Sequence, residues 1–244
     1  MSSPRFYCPC PLSSNQTLPL PEALAHHAVR VLRLKNNSPI VLFDGSGGQY
    51  EATLEIEGKH AYARLGDKNP IERELPGTIT LAQGLASGDK MDWIIEKAVE
   101  LGVKQIVPIA ARRSVLQLSG PRLEKRLQHW EKIVQSACEQ CGRNRLTPVA
   151  APMMLTEFFS QHRPDDLTLL CHPEADLDLA EAISNTTKRN ITLLIGPEGG
   201  WSDEELATAE KNGATRITFG SRVLRTETAG LAMVAAISAL LSWN

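Results

Sequence analysis

The sequence lacks a long hydrophobic run and a strong charge of either sign. Its most apolar stretch, 229–243, has 15 residues, whereas a helix that crosses a bilayer needs roughly 20. The first residues contain no apolar segment of the kind found in secretion signals. The formal net charge is -2, which argues against an electrostatic attraction of the whole molecule to nucleic acid. We therefore expect a cytoplasmic protein without a membrane span, in which RNA binding would depend on local basic patches.

Sequence motifs for metal ions and for nucleotide phosphates are also missing. Five cysteines are present, and an odd number without an export signal indicates reduced thiols. Cys138 and Cys141 have CxxC spacing, but the other close pair, Cys8 and Cys10, does not have the spacing of a zinc knuckle. Neither GxGxxG nor GxxxxGKS/T occurs. We predict no metal site, two thiols one turn apart on a helix, and no nucleotide-phosphate cradle.

The N-terminal part of the chain has the pattern of a small β-rich module. Alternating or β-branched segments predict strands at 39–44, 50–56 and 61–65, and the glycine-rich turn after Asp44 predicts a hairpin. A short helix is expected from Pro21 to Val31. Residues 69–77, with two prolines and a glycine, have the composition of a linker.

Beyond residue 77 the pattern changes to strands that alternate with helices. The predicted strands are 79–83, 105–109, 167–171, 191–195 and 216–219, and the predicted helices are 90–101, 122–141, 177–183, 203–212 and 226–243. Strands separated by helices of this length are typical of a mostly parallel sheet that is covered on both faces. The sequence therefore predicts an α/β fold with a smaller β module in front of it.

Three segments that directly follow predicted strands carry glycine, proline or charge: Leu170 to Glu174, Gly196 to Gly200, and Gly220 to Arg225. Ligands of parallel α/β sheets bind beyond the carboxyl ends of the strands, and glycine allows a ligand to approach the backbone closely. We therefore expect a ligand rim here. A phosphate at the helix start after Gly200 and a purely structural turn are the alternatives, and Ser202 with Glu205 predicts a capping box.

The third segment also has an unusual charge pattern. Arg222, Arg225 and Glu227 lie at the predicted start of the last helix. Glu227 is favourable beside the positive end of the helix dipole, whereas the two arginines are not. A substrate phosphate or a carboxylate would provide the partner that the arginines need. A solvated helix start is the alternative.

Two long motifs, 194–205 (LIGPEGGWSDEE) and 220–229 (GSRVLRTETA), resemble the signature of the bacterial 16S ribosomal RNA uridine-N3 methyltransferases, which belong to the SPOUT superfamily of knotted proteins. Further matches are 96–103, 137–143, and His27 with 31–33. The resemblance implies a PUA-like RNA-binding β-barrel at 1–72 and a SPOUT domain with a deep trefoil knot at 73–244. It also implies a homodimer in which the last helix contributes to the interface.

The resemblance implies S-adenosylmethionine as the cofactor and N3 of a uridine, U1498, in 16S rRNA of the small ribosomal subunit as the target. The residues expected at the cofactor are Leu170, His172, Gly196, Gly200, Gly220, Ser221 and Leu224. Those expected at the target base are Arg225, Glu227 and Glu198. Those expected on RNA are Arg30, Arg33, Arg112, Arg113, Arg143 and Arg145. The alternatives are a non-catalytic RNA-binding module, a methyltransferase that acts on another RNA, and a phosphate-handling α/β enzyme.

Overall fold

A computed structural model describes residues 3–116, 118–161, 167–184 and 186–243. By its internal contacts the chain forms two compact units, one of residues 1–74 with 138–146 and the other of residues 75–137 with 147–244. Residues 138–146 belong to the first unit, whereas the sequence predicted only one division of the chain, at residue 72. The two units are described separately.

The first unit is built on a five-stranded sheet in the order β1-β3-β4-β5-β2. Its elements are β1 (Arg5–Tyr7), β2 (Thr17–Pro19), α1 (Glu22–His26), which continues into a π-helical turn (His27–Val31), β3 (Pro39–Phe43), β4 (Gln49–Glu57) and β5 (His60–Asn69). β1 pairs with β3 in parallel, and the other pairs are antiparallel. Ala61, Ala63 and Leu65 alternate with more exposed residues, because successive side chains of a strand point to opposite faces. This alternation is what predicted the strand.

Most of the expected linker belongs to the first unit. Arg143 donates two hydrogen bonds to the carboxylate of Glu74, at 2.8 and 2.6 Å, and the Asn144 side chain donates to the Ile71 carbonyl at 2.8 Å. Arg143 and Asn144 therefore hold residues 71–74, which follow β5, within the first unit. Composition predicted an open linker because it records no contact between distant residues. These partners are 69 and 73 positions apart in the sequence.

The second unit is a covered parallel sheet in the order β10-β8-β9-β6-β7, and each neighbouring pair is parallel. Its strands are β6 (Thr78–Gly84), β7 (Gln105–Ile109), β8 (Leu167–Cys171), β9 (Asn190–Ile195) and β10 (Thr215–Ile217). Its helices are α2 (Lys90–Glu100), α3 (Gly120–Cys141), α4 (Leu155–Gln161), α5 (Leu179–Ile183), α6 (Asp203–Lys211) and α7 (Thr226–Leu240). The predicted α/β class is confirmed, and the sequence-based strands lie within three residues of the observed ones.

Burial of the central strands explains their composition. In β9, Ile191, Leu193, Leu194 and Ile195 are each no more than 2% exposed, as expected for a parallel strand with helices on both faces. The carboxyl ends of β6, β8, β9 and β10 then lie at one edge of the sheet. Among the described residues, no helix is long and apolar enough to cross a membrane.

Candidate active site

The loops that follow β8, β9 and β10 meet at the carboxyl edge of the sheet, as the sequence predicted. The His172 amide donates to the Ile217 carbonyl at 2.9 Å, which joins the ends of β8 and β10. A cavity of about 50 Å³ lies between α7 and the loops that follow β8 and β10. It is lined by Cys171, His172, Pro173, Thr218, Phe219, Arg222, Val223, Leu224, Ala229 and Met233. Two of the predicted cofactor residues, His172 and Leu224, are thus brought to one cavity.

Two glycines of the rim have backbone conformations that L-residues rarely adopt. Gly200 has φ +68° and Gly220 has φ +69°, and no heavy atom of the described residues lies within 4 Å of the place of a Cβ at either position. The positive φ requires glycine or strains another residue. The open space beside both backbones fits the close approach of a ligand, which is the property expected of a cofactor cradle.

The glycine loop after β9 also contains a buried donor without a partner. Trp201 is 4% exposed, and among the described residues its Nε1 has no hydrogen-bond partner. A Cβ at Gly196 would lie 3.3 Å from this nitrogen, so the indole N–H stands beside the Gly196 backbone. Because buried donors are nearly always paired in folded proteins, this unpaired N–H fits a loop that receives a polar ligand.

A buried hydroxyl joins three elements of the rim, and sequence analysis missed it. Thr226, the first residue of α7, donates to the Gly196 carbonyl at 2.6 Å and accepts from Gln83 Nε2 at 2.9 Å. Gln83 is fully buried and also donates to the Gly84 carbonyl at 3.1 Å. A glutamine at the end of an apolar strand was the available signal, because a buried amide requires polar partners.

The end of β6 forms a fourth wall of the site that was not predicted. A Cβ at Gly84 would lie 2.4 Å from the Pro197 nitrogen, so β6 and the glycine loop touch through their backbones. Beyond it, Ser87 donates to Glu198 Oε1 from its amide at 3.0 Å and from its hydroxyl at 2.7 Å. Glycine is required at position 84 because a side chain would separate these two segments.

Lys90 lies between two of the predicted catalytic carboxylates. Its Nζ is 2.9 Å from Glu198 Oε1 and 3.6 Å from Glu227 Oε2. Partial burial alone would raise the pKa of Glu198, but hydrogen bonds from Ser87 and Lys90 outweigh it and lower that pKa to about 2. The hydrogen bond to Glu198 is the main cause that raises the pKa of Lys90. At neutral pH the cluster therefore contains an ammonium group beside an ionised Glu198.

The two remaining charged candidates differ in exposure. The side chain of Glu227 is 20% exposed, and within the described part of the chain its Oε2 accepts no hydrogen bond. Arg225 is exposed and occupies the N-cap position of α7 with φ -66° and ψ 153°. Its carbonyl accepts from the amides of Thr228 and Ala229, both at 2.9 Å. The backbone of Arg225 is thus held in place, while its guanidinium lies at the surface.

The expected RNA-binding arginines fall into different environments. Arg30, Arg33, Arg112 and Arg113 are exposed, and Arg145 is intermediate. Arg143 is 3% exposed. Burial alone would lower the pKa of the Arg143 guanidinium, but the hydrogen bonds and charge of Glu74 raise it.

Arg143 was expected to contact RNA, and the structure shows it buried in a pair with Glu74. Nε and Nη2 of Arg143 donate to the two carboxylate oxygens of Glu74, which is the bidentate geometry with which arginine also binds phosphate. Arg112 pairs with Glu204 and Arg113 donates to the Gly199 carbonyl at 3.3 Å, but these two side chains remain accessible.

Arg30 lines a groove on the first unit that was not predicted. The groove has a volume of about 570 Å³ and runs between the α1 segment and the β4–β5 hairpin. Besides Arg30 it is lined by the polar or aromatic side chains of Glu22, His26, Lys59, His60 and Tyr62. Its cations and its aromatic ring are a composition suited to single-stranded nucleic acid.

The CxxC pair has the environment expected of ordinary thiols. Cys138 is buried with Sγ 3.5 Å from the Arg145 carbonyl oxygen, and Cys141 is partly buried. Among the described residues, no group of three or more histidine, cysteine, aspartate or glutamate side chains is arranged to hold a metal ion.

Comparison with known proteins identifies the class to which this fold and rim belong. Residues 73–238 match the model of an RNA methyltransferase domain, and residues 20–65 match the model of an RNA methyltransferase PUA domain. The chain therefore belongs to this family of RNA methyltransferases.

Individual relatives point to one kind of methyltransferase within this class. Ribosomal RNA small subunit methyltransferase E of a Synechocystis species is 35% identical over 228 residues, which cover 92% of this chain and 74% of that protein. The protein of the same name from Bacillus subtilis is 31% identical over 220 residues, which cover 87% of this chain and 86% of that protein. A crystal structure of the Neisseria gonorrhoeae protein of that name, bound to S-adenosyl methionine, is 37% identical, with a TM-score of 0.89 and 98% of each chain covered.

Proposed function

We propose that this protein transfers a methyl group from S-adenosylmethionine to N3 of a uridine, U1498, in the 16S rRNA of the small ribosomal subunit. The observation that carries the proposal is the rim where the loops after β8, β9 and β10 meet, with open left-handed glycines at positions 200 and 220. The similarity in fold and length to a relative crystallised with S-adenosyl methionine supports the same cofactor here.

The residues proposed to hold the cofactor are those that the motifs predicted: Leu170, His172, Gly196, Gly200, Gly220, Ser221 and Leu224. His172 and Leu224 line the small cavity. Gly200 and Gly220 provide backbone that a ligand can approach without meeting a side chain. When bound, S-adenosylmethionine supplies a methyl group on a sulfonium, whose carbon–sulfur bond breaks as the new bond to nitrogen forms.

The N3–H of uridine must lose its proton, and the charges of the rim decide which residue accepts it. Arg225 does not deprotonate in proteins. Glu198 accepts three hydrogen bonds and has a pKa of about 2, so protonating it is unfavourable at neutral pH. The Glu227 side chain is 20% exposed and lies in the first turn of α7, two residues after Arg225. We assign Glu227 as the proton acceptor and Arg225 as the group that stabilises the uracil anion or clamps a phosphate.

The proposed RNA contacts are arginines that remain accessible. They are Arg30 and Arg33 on the first unit and Arg112 and Arg113 on the second, with Arg145, whose guanidinium pairs with Glu72 at 3.1 Å and is 43% exposed. Arg143 is withdrawn for the reason given above. In the groove beside Arg30, Lys59 and Tyr62 are added as candidates for a phosphate contact and a stacking contact.

The last helix supports the expectation of a homodimer. One face of α7 packs inward through Met233, Val234 and Ile237. On its other side Ala235, Ala239 and Leu240 are exposed, and Leu240 is 54% exposed. A helix that is apolar all round is usually covered on all sides. We propose that a second copy of the chain covers this face, and that the dimer acts on ribosomal subunits in the cytoplasm.

One experiment tests the activity and its site. Small ribosomal subunits from cells that lack the enzyme are incubated with the protein and methyl-labelled S-adenosylmethionine, and the labelled nucleoside is mapped by mass spectrometry of RNA fragments. We expect one labelled 3-methyluridine at U1498. A label on another atom or nucleotide would contradict the specificity. Binding to RNA without cofactor binding by calorimetry would favour the non-catalytic alternative.

A further inference from the structure

Ser87, Lys90, Glu198 and Glu227 form a charged cluster that comes from three different parts of the second unit. Ser87 and Lys90 lie at the loop and first turn of α2, Glu198 lies in the glycine loop after β9, and Glu227 lies in the first turn of α7. Neither Ser87 nor Lys90 belongs to the glycine-anchored motifs. Their position between two motif carboxylates calls for a physical reason.

The two carboxylates are held very differently. Glu198 Oε1 accepts from the Ser87 amide, the Ser87 hydroxyl and Lys90 Nζ, at 3.0, 2.7 and 2.9 Å. Glu227 Oε2 lies 3.6 Å from the same ammonium group and accepts no hydrogen bond from the described residues. Lys90 therefore bonds Glu198 directly and faces the buried Oε2 of Glu227. The 20% exposure of the Glu227 side chain belongs to its other atoms.

Charge explains why the lysine is placed there. Lys90 stays protonated, because its hydrogen bond to Glu198 raises its pKa, so it is a fixed cation and not a base. An ammonium group attracts a carboxylate at a distance of 3.6 Å, so Lys90 restrains the Glu227 side chain through Oε2.

We infer that Lys90 is a positioning residue that holds the Glu227 carboxylate in place for the target base, and that Glu198 with Ser87 is the anchor that holds Lys90. This inference rests on the proposed function, since it assumes that Glu227 accepts the N3 proton. It gives Glu198 a different part from the one expected from the sequence: Glu198 orients the lysine and does not take the proton.

Lys90→Met removes the cation and keeps most of the apolar stem, and Lys90→Arg keeps a cation of similar reach. Lys97→Met is the matched control. Lys97 lies on the same helix, its side chain is 27% exposed against 30% for Lys90, and it also contacts two carboxylates, Glu96 and Glu100, both at 2.7 Å. A general effect of losing a paired lysine from α2 would appear in the control as well.

Each variant is measured for S-adenosylmethionine affinity by calorimetry and for kcat and KM with unmethylated subunits. We expect Lys90→Met to lower kcat by roughly tenfold or more, with KM and cofactor affinity changed by less than about threefold. Lys90→Arg should restore most of kcat, and Lys97→Met should match the wild type.

Several outcomes overturn the inference. One is a Lys90→Met enzyme with the same kcat as Lys97→Met. Another is a loss of cofactor affinity in Lys90→Met that Lys90→Arg does not repair, since this would indicate a structural part in the rim. If the wild type transfers the methyl group but the variants behave in these ways, the proposed function stands and the inference fails. A wild type that transfers none overturns both.

Discussion

Two charged residues at the start of α7 illustrate how the structure separates roles that look alike in sequence. Glu227 is mostly enclosed and faces an ammonium group, whereas Arg225 has a fixed backbone and an exposed guanidinium. A side chain that can still move suits a contact to a large substrate. Loss of the Arg225 side chain should therefore slow the chemical step and leave cofactor binding intact.

We predict that Arg225→Ala lowers kcat on the order of 10²-fold, the size of effect seen when one charge-stabilising donor is lost. S-adenosylmethionine affinity, measured by calorimetry, should stay close to that of the wild type. Arg189→Ala is a suitable control, because this exposed arginine precedes β9 at the opposite end of the strand. Equal kcat for the two variants would contradict the assignment.

Cys171, the last residue of β8, provides a test of the rim that does not depend on RNA. Burial raises the pKa of its thiol to about 11, so at pH 8 only about one molecule in 10³ carries the reactive thiolate. We predict that iodoacetamide at pH 8 modifies the exposed Cys10 well before Cys171, as followed by peptide mass spectrometry. The difference should vanish in denaturant. Similar native rates for the two thiols would show that the end of β8 is open to solvent.

At the scale of elements, α6 is an example in which local sequence determined local structure. The predicted capping box is confirmed: the Ser202 hydroxyl accepts from the Glu205 amide, and the Glu205 carboxylate accepts from the Ser202 amide at 2.9 Å. Glu205 is also 8% exposed and accepts from the Arg112 amide at 2.9 Å. This second bond to a loop 93 positions away has no trace in the local pattern.

Helix-end substitutions should separate the local from the tertiary contribution. Ser202→Ala is expected to lower the free energy of unfolding by about 1 kcal/mol, the usual cost of a lost N-cap. Glu205→Ala should cost about 2–3 kcal/mol, because it also leaves the Arg112 amide without its partner. Glu210→Ala, which removes a 47% exposed partner of Arg216, should change stability by less than about 0.5 kcal/mol. Urea denaturation measures all three. An equal loss of unfolding free energy in Ser202→Ala and Glu205→Ala would show that the bond from the Arg112 amide to Glu205 adds no stability.

The end of α7 differs from its prediction for an equally local reason. The apolar pattern extends to Trp243, but the helix ends at Leu240. Ser242 has φ +53°, and the Trp243 amide donates back to the Ser238 carbonyl at 2.8 Å, the bond of a Schellman ending. Trp243 is 7% exposed, so its apolar character reflects packing and not helix continuation. Periodicity does not distinguish these two causes.

For the whole molecule, the exposed apolar face of α7 bears on the oligomeric state. We predict that the wild type is a dimer by size-exclusion chromatography with light scattering, and that Ala235→Glu makes it a monomer, because a charge would be buried against the partner. Ala207→Glu on the exposed side of α6 is the control and should stay dimeric. A monomeric wild type, or two variants that assemble alike, would contradict the proposed interface.

The sequence alone determined the features that local periodicity and local chemistry encode. Strands such as β7 and β8, the α/β class, the capping box of α6 and the three glycine- or charge-bearing loops of the rim follow from apolar spacing and from residues that need special backbone conformations. The short strands β1 and β2 and the helix α4 were missed, since three to seven residues carry too little pattern.

Tertiary structure decided which residues of these segments meet. It buried Arg143 against Glu74, placed Lys90 between two carboxylates and joined Gln83 to Thr226, at sequence separations of 69 to 143. No local pattern records such pairs, because a charge or an amide looks the same in sequence whether its partner is water or a distant side chain.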